Sequence, residues 1–478
     1  MLRLNRVNFH YEDGRHVIKD LDLHIQAGEL VLITGPSGCG KTTLTKIMNG
    51  LIPKYYQGHL SGEISLLGKA IADYPVGGLG KLIGNVFQNP KSQFLCDRVE
   101  DEIALIGENF AMPPAQLKQR VHAACAALKI EHLLAQKVSH LSSGEKQKVA
   151  LASSLVYDNP LIILDEPSAN LDLKSAIELG HCLQQLKQRG KSIVVSEHRL
   201  FFLKDYIDRL IVMQDGKICQ QYHRHELATL DTQALGLRPL HYQHYLAQQQ
   251  PKNSQEIVLC ENFNLQNTQK VLLPQLNLQL QQGEVVAILG KNGIGKSTFA
   301  KQLSGLLPVK TGKLGTGETA KQRLMNSYYV MQDSDAQLFF DTIEKEFLLG
   351  STTAAAREYA KYLLQQLDLW EMRTKLPQMR SGGEKQRICI GAACMSNSPF
   401  IVLDEPSSGL DYGRMLRIKA ILHEKAQHAT ILMISHDYEF ILAACHRAIL
   451  LTPQGAELMT VAGHEQQIFA FLATGQTV

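Results

Sequence analysis

No apolar run in this 478-residue chain approaches the length of a membrane span, and its opening, MLRLNRVNFHYEDG, lacks the apolar core of a signal peptide. Both absences predict a protein that stays in the cytoplasm. The nine cysteines form no CxxC pair and no metal-like spacing, which argues against a cysteine-ligated metal framework and predicts reduced, mostly buried thiols. Charge of one sign is also missing. A net charge of +3 with no long basic run argues against a large nucleic-acid footprint. What remains, 45% hydrophobic and 20% charged residues, is the composition of a soluble globular protein too long for one ordinary core.

Two glycine-rich stretches of the form G-x-x-x-x-G-K-[ST] stand out. The first comprises Gly35, Pro36, Ser37, Gly38, Cys39, Gly40, Lys41, Thr42 and Thr43. It follows the apolar run Leu30 to Ile33 and opens a helical pattern through Leu44, Ile47, Met48 and Leu51, the strand, loop and helix order that a phosphate-gripping loop requires. Its glycines let successive N–H groups point inward, and the helix adds its positive end. Lys41 is placed to hold β- and γ-phosphates, and the Thr42 hydroxyl to ligate Mg²⁺. Cys39, at the helix start, is a candidate for a lowered pKa and reactivity. The second stretch, Gly290, Lys291, Asn292, Gly293, Ile294, Gly295, Lys296, Ser297 and Thr298, repeats every part after the strand Val285 to Leu289.

The two lysines are 255 residues apart, and further landmarks repeat in order. GLIP at Gly50 to Pro53 and GLLP at Gly305 to Pro308 are read as ending the loop helices at a proline. VFQNPKSQF and VMQDSDAQLF each predict a short strand ending in a glutamine, Gln88 or Gln332. Mainly helical stretches follow, about 99–157, with Val121, Ala124, Cys125 and Leu128 on one face, and 343–395. Within them LSSGEKQ (Ser142, Ser143, Gly144) and RSGGEKQR (Ser381, Gly382, Gly383) read either as helix capping boxes or as anion-binding helix starts, and the two readings coexist. The strands LIILDEP and IVLDEP deliver paired acids to a sheet edge. Asp165 and Asp404 are placed to hold Mg²⁺ through water, and Glu166 and Glu405 to polarise an attacking water. SANLD and SSGLD turn the chain back into a helix. One more strand in each half leads to His198 or His436, both placed to reach a γ-phosphate, and closing hairpins follow at Leu210 to Ile218 and Ile449 to Leu458. Residues 226–254, rich in Gln and His, read as a linker between domains 1–225 and 255–478.

In this order the landmarks resemble the motifs of ATP-binding cassette (ABC) nucleotide-binding domains, namely Walker A, Q-loop, signature, Walker B, D-loop and H-loop, written twice over nearly the whole chain. GLIP with FQNPKSQF and SEHR resembles, more narrowly, the fused ATPase subunit of energy-coupling factor transporters. The resemblance implies an α/β fold of two tandem P-loop NTPase domains, each a RecA-like mixed-sheet core with a helical signature subdomain. It implies ATP and Mg²⁺, with the ion held by Thr42, Gln88 and Asp165 in one site and by Ser297, Gln332 and Asp404 in the other. Catalysis would fall to Glu166, His198, Glu405 and His436.

The cassettes would pair head to tail within one chain. A linker of about thirty residues spans at most roughly 100 Å, and tethering sets an effective concentration on the order of millimolar. Site one would join the first loop to Ser381, Gly382 and Gly383; site two would join the second loop to Ser142, Ser143 and Gly144. Ser143 stands where the family has glycine, so site two is expected to be weaker through crowding or a strained backbone of positive φ. Tyr11 matches the family's adenine-stacking aromatic, whereas Leu265 or Gln266 is read as its counterpart. The implied partners are a transmembrane coupling subunit and a small substrate-binding membrane component, with the chain peripheral on the cytoplasmic face of the cell membrane and no nucleic acid. The alternatives are a tandem sugar-importer ATPase and a soluble twin-cassette ATPase acting on ribosomes; the latter usually has a longer charged linker, and its iron–sulfur version needs a cysteine cluster absent here.

Overall fold

The computed structural model describes residues 1–75, 77–88, 93–241, 255–267, 270–407 and 409–475. The chain divides into two compact units, 1–242 and 243–478. Residues 89–92 of the first glutamine loop, 242–254 of the expected linker and Ser408 lie outside the described residues.

In the first unit β1 (Leu2–Tyr11), β2 (His16–Ile25) and β3 (Leu30–Thr34) lead into α1 (Lys41–Met48) and the short α2 (Leu51–Lys54). Then come β4 (Gly58–Leu66), β5 (Lys69–Ala70), β6 (Ile83–Val86) and three helices, α3 (Val99–Asn109), α4 (Pro114–Leu128) and α5 (Ser143–Leu155). The unit continues through β7 (Leu161–Asp165), α6 (Leu173–Gln188) and β8 (Ser192–Ser196) to a hairpin of β9 (Arg209–Gln214) and β10 (Lys217–His223). The main sheet has the order β10-β9-β3-β8-β7-β6 and is parallel except for β10. Every residue of β3, β7 and β8 is buried, as parallel strands covered on both faces must be, and this is why they read as unbroken apolar runs. The parallel strands end at one edge, so the segments bearing Gly35, Gln88, Glu166 and His198 emerge side by side.

A second, antiparallel sheet, β2-β1-β4-β5, shares the core of α1 and was not anticipated. Its first strand alternates Leu2, Leu4, Val7 and Phe9 inward, but a bulge at Arg6 (φ 44°) breaks the period of two that would have announced it. On α4 the predicted face, Val121, Ala124, Cys125 and Leu128, is buried.

Two expectations are corrected. Residues 226–241 fall within the first unit, with Leu227, Leu237 and Leu240 buried, so they are part of that cassette. The loop helices also do not run to a proline. α1 stops at Met48, and Gly50 at φ 75° turns the chain; the second unit does the same at Gly305, again φ 75°. Glycine in the left-handed region ends these helices before either proline is reached.

The second unit repeats the plan with β11 (Glu256–Gln266), β12 (Val271–Gln281), β13 (Val285–Gly290), α7 (Lys296–Leu303), β14 (Lys313–Leu314), α8 (Ala320–Asn326) and β15 (Ser327–Val330). α9 (Ile343–Leu348), α10 (Ala354–Gln366) and α11 (Gly382–Met395) form its helical part. The rest is β16 (Phe400–Asp404), α12 (Tyr412–Ala426), β17 (Thr430–Ile434), α13 (Tyr438–Ala444), the hairpin β18 (Arg447–Thr452) and β19 (Gly455–Thr460), and α14 (Glu465–Thr474). Its sheet order, β19-β18-β13-β17-β16-β15, is that of the first unit.

At the head of β13 the Val285 N–H donates to Nδ1 of His446 at 3.0 Å, and the buried imidazole stacks on His423 with centroids 5.1 Å apart. Burial, reinforced by the neighbouring His423, pushes the His446 pKa down to about 4. The unfolded imidazole takes up a proton first as pH falls, so this stabilisation is complete above the ordinary histidine value and is lost between it and about 4. The second unit should therefore lose about 3 kcal/mol across that window. Urea unfolding at pH 7 and pH 4.5 should be less pH-sensitive in His446→Gln than in the parent; equal sensitivity would contradict the assignment.

Candidate active sites

In each unit the glycine loop is held in its curl by sterics and by its own lysine. A Cβ at Gly35 would lie 2.1 Å from the Met213 carbonyl oxygen of β9, so only glycine lets the loop pass. Gly40 and Gly295, at φ 106° and 113°, cap α1 and α7 without any side-chain cap, which leaves the first-turn N–H groups facing the loop. Lys41 Nζ donates to the carbonyls of Gly35 (3.1 Å) and Pro36 (3.3 Å), and Lys296 Nζ to those of Gly290 (2.7 Å) and Lys291 (3.3 Å). Cys39, the candidate reactive thiol, is buried, with its sulfur 4.0 Å from Lys41 Nζ.

Behind the first loop, Asp165 is buried at the end of β7. Its Oδ1 accepts from the Ser196 hydroxyl at 2.5 Å, and Thr42 also hydrogen-bonds to it. Burial pushes this carboxyl above its usual range despite both hydroxyls. Glu166 follows at φ 44°, its N–H on the Ser196 carbonyl at 2.8 Å. Gln88 Nε2 donates to Glu166 Oε2 at 2.6 Å, and His198 Nε2 lies 3.4 Å from Oε1. Burial alone would raise Glu166, but His198, the charge of Lys41 and the Gln88 amide outweigh it, and the carboxyl is held below its ordinary value.

The second unit reaches a similar arrangement with different donors. Asp404 Oδ2 accepts from the Tyr329 phenol at 2.8 Å. Glu405 (φ 55°) lies 3.6 Å from His436 Nε2, accepts the His436 N–H at 3.3 Å, and gives its own carbonyl to Gln386. Gln332 makes no bond to it comparable to that of Gln88. Burial and the adjacent Asp404 push Glu405 up to about 8.

The SSGE and SGGE segments are capping boxes in both units. Ser142 Oγ accepts the Glu145 N–H at 3.3 Å and donates to its carboxylate at 2.6 Å, and Ser381 Oγ accepts the Glu384 N–H at 3.4 Å. Ser143 is the first residue of α5, and its counterpart Gly382 is not in the left-handed region and would place a Cβ in open space. The expectation of backbone strain at Ser143 is therefore wrong: a helical first-turn position takes serine without cost. Gly144, whose Cβ would meet Ser175 Oγ at 2.5 Å, is the position that tolerates no side chain.

The counterpart of Tyr11 is also corrected. Bulges at Arg6 and Asn262, and turns closed by Tyr11 N–H to the Arg15 carbonyl and by Asn267 N–H to the Lys270 carbonyl, align Tyr11 with Asn267. Leu265 is buried in the core, where Phe9 lies in the first unit. Tyr11 carries Arg15 over its ring at 5.3 Å and bonds Thr43 Oγ1 at 3.1 Å.

Sequence reasoning overlooked Gln93 and Gln337, which clamp the glutamine loops to their strands through Phe87 and Asn85 and through Met331 and Tyr329. Glu102 and Glu346 were overlooked too; each accepts two N–H groups from the far end of the same loop. The signal was present, since both pairs recur at one common offset.

A protein-family model described as ABC transporter matches residues 18–169 and 273–408. The chain belongs to this family. A protein of Treponema denticola, provisionally named an ABC transporter ATP-binding protein, is 36% identical over 94% of this chain and 95% of its own. A Bacillus subtilis protein, provisionally named the HMP/thiamine import ATP-binding protein YkoD, is 30% identical over 98% of this chain and 92% of its own. The structure of an archaeal ribosome recycling factor, aABCE1, solved with the ribosomal stalk protein aP1, superposes with a TM-score of 0.64 at 22% identity, covering 98% of this chain and 92% of that one. That likeness extends to the fold. The chain is thus a tandem ABC ATPase, two cassettes of the P-loop NTPase fold that use ATP and Mg²⁺.

The two glutamates predict stability effects of opposite sign in metal- and nucleotide-free protein. A raised pKa means that Glu405 stabilises fully only below the ordinary glutamate value and ceases to do so as pH rises through about 8. Glu166, held low, stabilises above that ordinary value and loses the effect as pH falls. In chelator at pH 7, Glu405→Gln should raise the stability of its unit by on the order of 2 kcal/mol, whereas Glu166→Gln should lower that of the other. Urea melts of both variants check this; a shared sign refutes it.

Proposed function

We propose that this tandem ABC ATPase powers a membrane importer of the energy-coupling factor type for a vitamin, metal ion or other micronutrient. The observation that carries the reading is the near full-length similarity to the Bacillus subtilis protein named for HMP/thiamine import. The strings FQNPKSQF and SEHR point the same way. Leu95 and Phe339, each 81% exposed on the loops pinned by Glu102 and Glu346, support an apolar partner at that edge. The partners would be a transmembrane coupling subunit and a small substrate-binding membrane component, with the chain peripheral on the cytoplasmic face. No helix among the described residues is long and apolar enough to cross a membrane.

In this reading the cassettes pair head to tail, and each site takes a phosphate loop from one and the SSGE or SGGE helix start of the other. Thr42 and Asp165, a hydroxyl and a carboxylate already in contact, form the hard-oxygen set that Mg²⁺ prefers, and Gln88 can add its amide oxygen. Ser297, Asp404 and Gln332 fill these roles in the second cassette. Bound there, the ion would neutralise charge on the phosphates. Lys41 and the loop N–H groups hold the β- and γ-phosphates, and Glu166 orients the attacking water and takes its proton. Gln88 and His198 keep that carboxylate aimed. Glu405 lacks the glutamine contact that Glu166 has, which supports ranking the first site above the second.

ATP turnover tests the ranking. Glu166→Gln should reduce it roughly 100-fold or more, and Glu405→Gln clearly less; full activity in both would remove the assigned roles, and the reverse order would remove the ranking. Copurification from detergent extracts tests the coupling: a transmembrane scaffold with a small membrane protein supports the proposal, whereas a sugar permease or ribosomes would replace it.

A further inference from the structure

Asp165 and Asp404 hold the same register in their sheets, paired to Ser196 of β8 and Ile434 of β17 respectively. Ser196 gives Asp165 a hydroxyl, and Ile434 has none to give. On the other flank the roles reverse. Asn85 of β6 turns away to the Ile83 carbonyl at 3.5 Å, whereas Tyr329 of β15 delivers its phenol to Asp404 Oδ2. Serine and asparagine in one cassette are thus isoleucine and tyrosine in the other, and each aspartate still receives one side-chain hydroxyl from a neighbouring strand.

We propose that Tyr329 is a positioning residue that sets the divalent-cation affinity of the second cassette by hydrogen-bonding Asp404, the task Ser196 performs in the first. The Tyr329 ring is buried, and it also lines a cavity of about 230 Å³ with Leu306, Leu324 and Met331. The ring packs in the hydrophobic core of the unit, and the phenol at its tip is bonded to Asp404. With Oδ2 occupied by a donor, Oδ1 is the oxygen presented to a cation shell, and the carboxylate plane cannot rotate freely. Donors behind a metal-binding carboxylate orient it and typically carry 10–100-fold in metal affinity.

The inference rests on the reading of Asp404 as a Mg²⁺ ligand, and the test separates the two. In full-length protein carrying Lys41→Ala to silence the first loop, Mn²⁺ binding is titrated by electron paramagnetic resonance at saturating non-hydrolysable ATP analogue. Tyr329→Phe should weaken Mn²⁺ binding 10–100-fold while leaving metal-free analogue binding within about twofold. Adding Ile434→Ser, which rebuilds the hydroxyl of the first cassette, should restore most of the loss. Unchanged Mn²⁺ affinity in Tyr329→Phe, or a loss that Ile434→Ser does not recover, overturns the role of Tyr329. Mn²⁺ binding that survives Asp404→Asn overturns the ligand reading and the inference with it.

Discussion

Asp165 and Asp404 are 7% and 5% exposed, and each ends a strand buried on both faces. Removing a carboxylate from water costs several kcal/mol unless donors replace the lost hydration. That requirement organises the sheet edge of each cassette. It brings the Thr42 hydroxyl of α1 and a hydroxyl from an adjacent strand onto Asp165, and it brings a phenol onto Asp404. The identity of the donor is not fixed, so one duplicated backbone supports serine on one flank or tyrosine on the other.

The next residue is governed by the backbone. Glu166 and Glu405 sit at φ 44° and 55°, where a non-glycine residue is strained by on the order of 1–3 kcal/mol, and both N–H groups bond to the end of the neighbouring strand. A strand continuing straight would carry the glutamate away from the edge. The left-handed turn keeps its carboxylate within 3.4–3.6 Å of the histidine that leaves the next strand. Strain persists in both cassettes because both parallel neighbours hold the turn.

Much of this was legible in the sequence because parallel strands buried on both faces have to be continuous apolar runs, and loops at their ends carry fixed residue types. Val31 to Ile33, Ile162 to Leu164 and Val402 to Leu403 therefore announced the sheet, and the glycine loops, paired acids and histidines announced its edge. The antiparallel sheet was not legible, because the bulges at Arg6 and Asn262 shift the alternation by one residue. The turn from Asn267 to Lys270 is one residue shorter than that from Tyr11 to Arg15, so the 255-residue offset of the lysines does not hold ahead of it and the counterpart of Tyr11 was placed at Leu265 or Gln266 instead of Asn267. The linker was overextended because polar composition conceals isolated anchors such as Leu237 and the buried Arg238. Donors to Asp404 and Glu166 come from strands and loops distant in sequence, and no local pattern marks a phenol as aimed at a carboxylate.

Ser143 illustrates how a family comparison and the local physics can diverge. Its departure from glycine suggested strain, but the position is the first turn of a helix, where backbone angles are those of any residue and a Cβ meets nothing in its own cassette. Nothing inside its own cassette requires glycine at Gly382. At Gly144 the order is reversed: Ser175 of its own cassette leaves no room for a side chain. A serine at the start of α5 therefore costs its own fold nothing, whereas a side chain at Gly144 would displace Ser175.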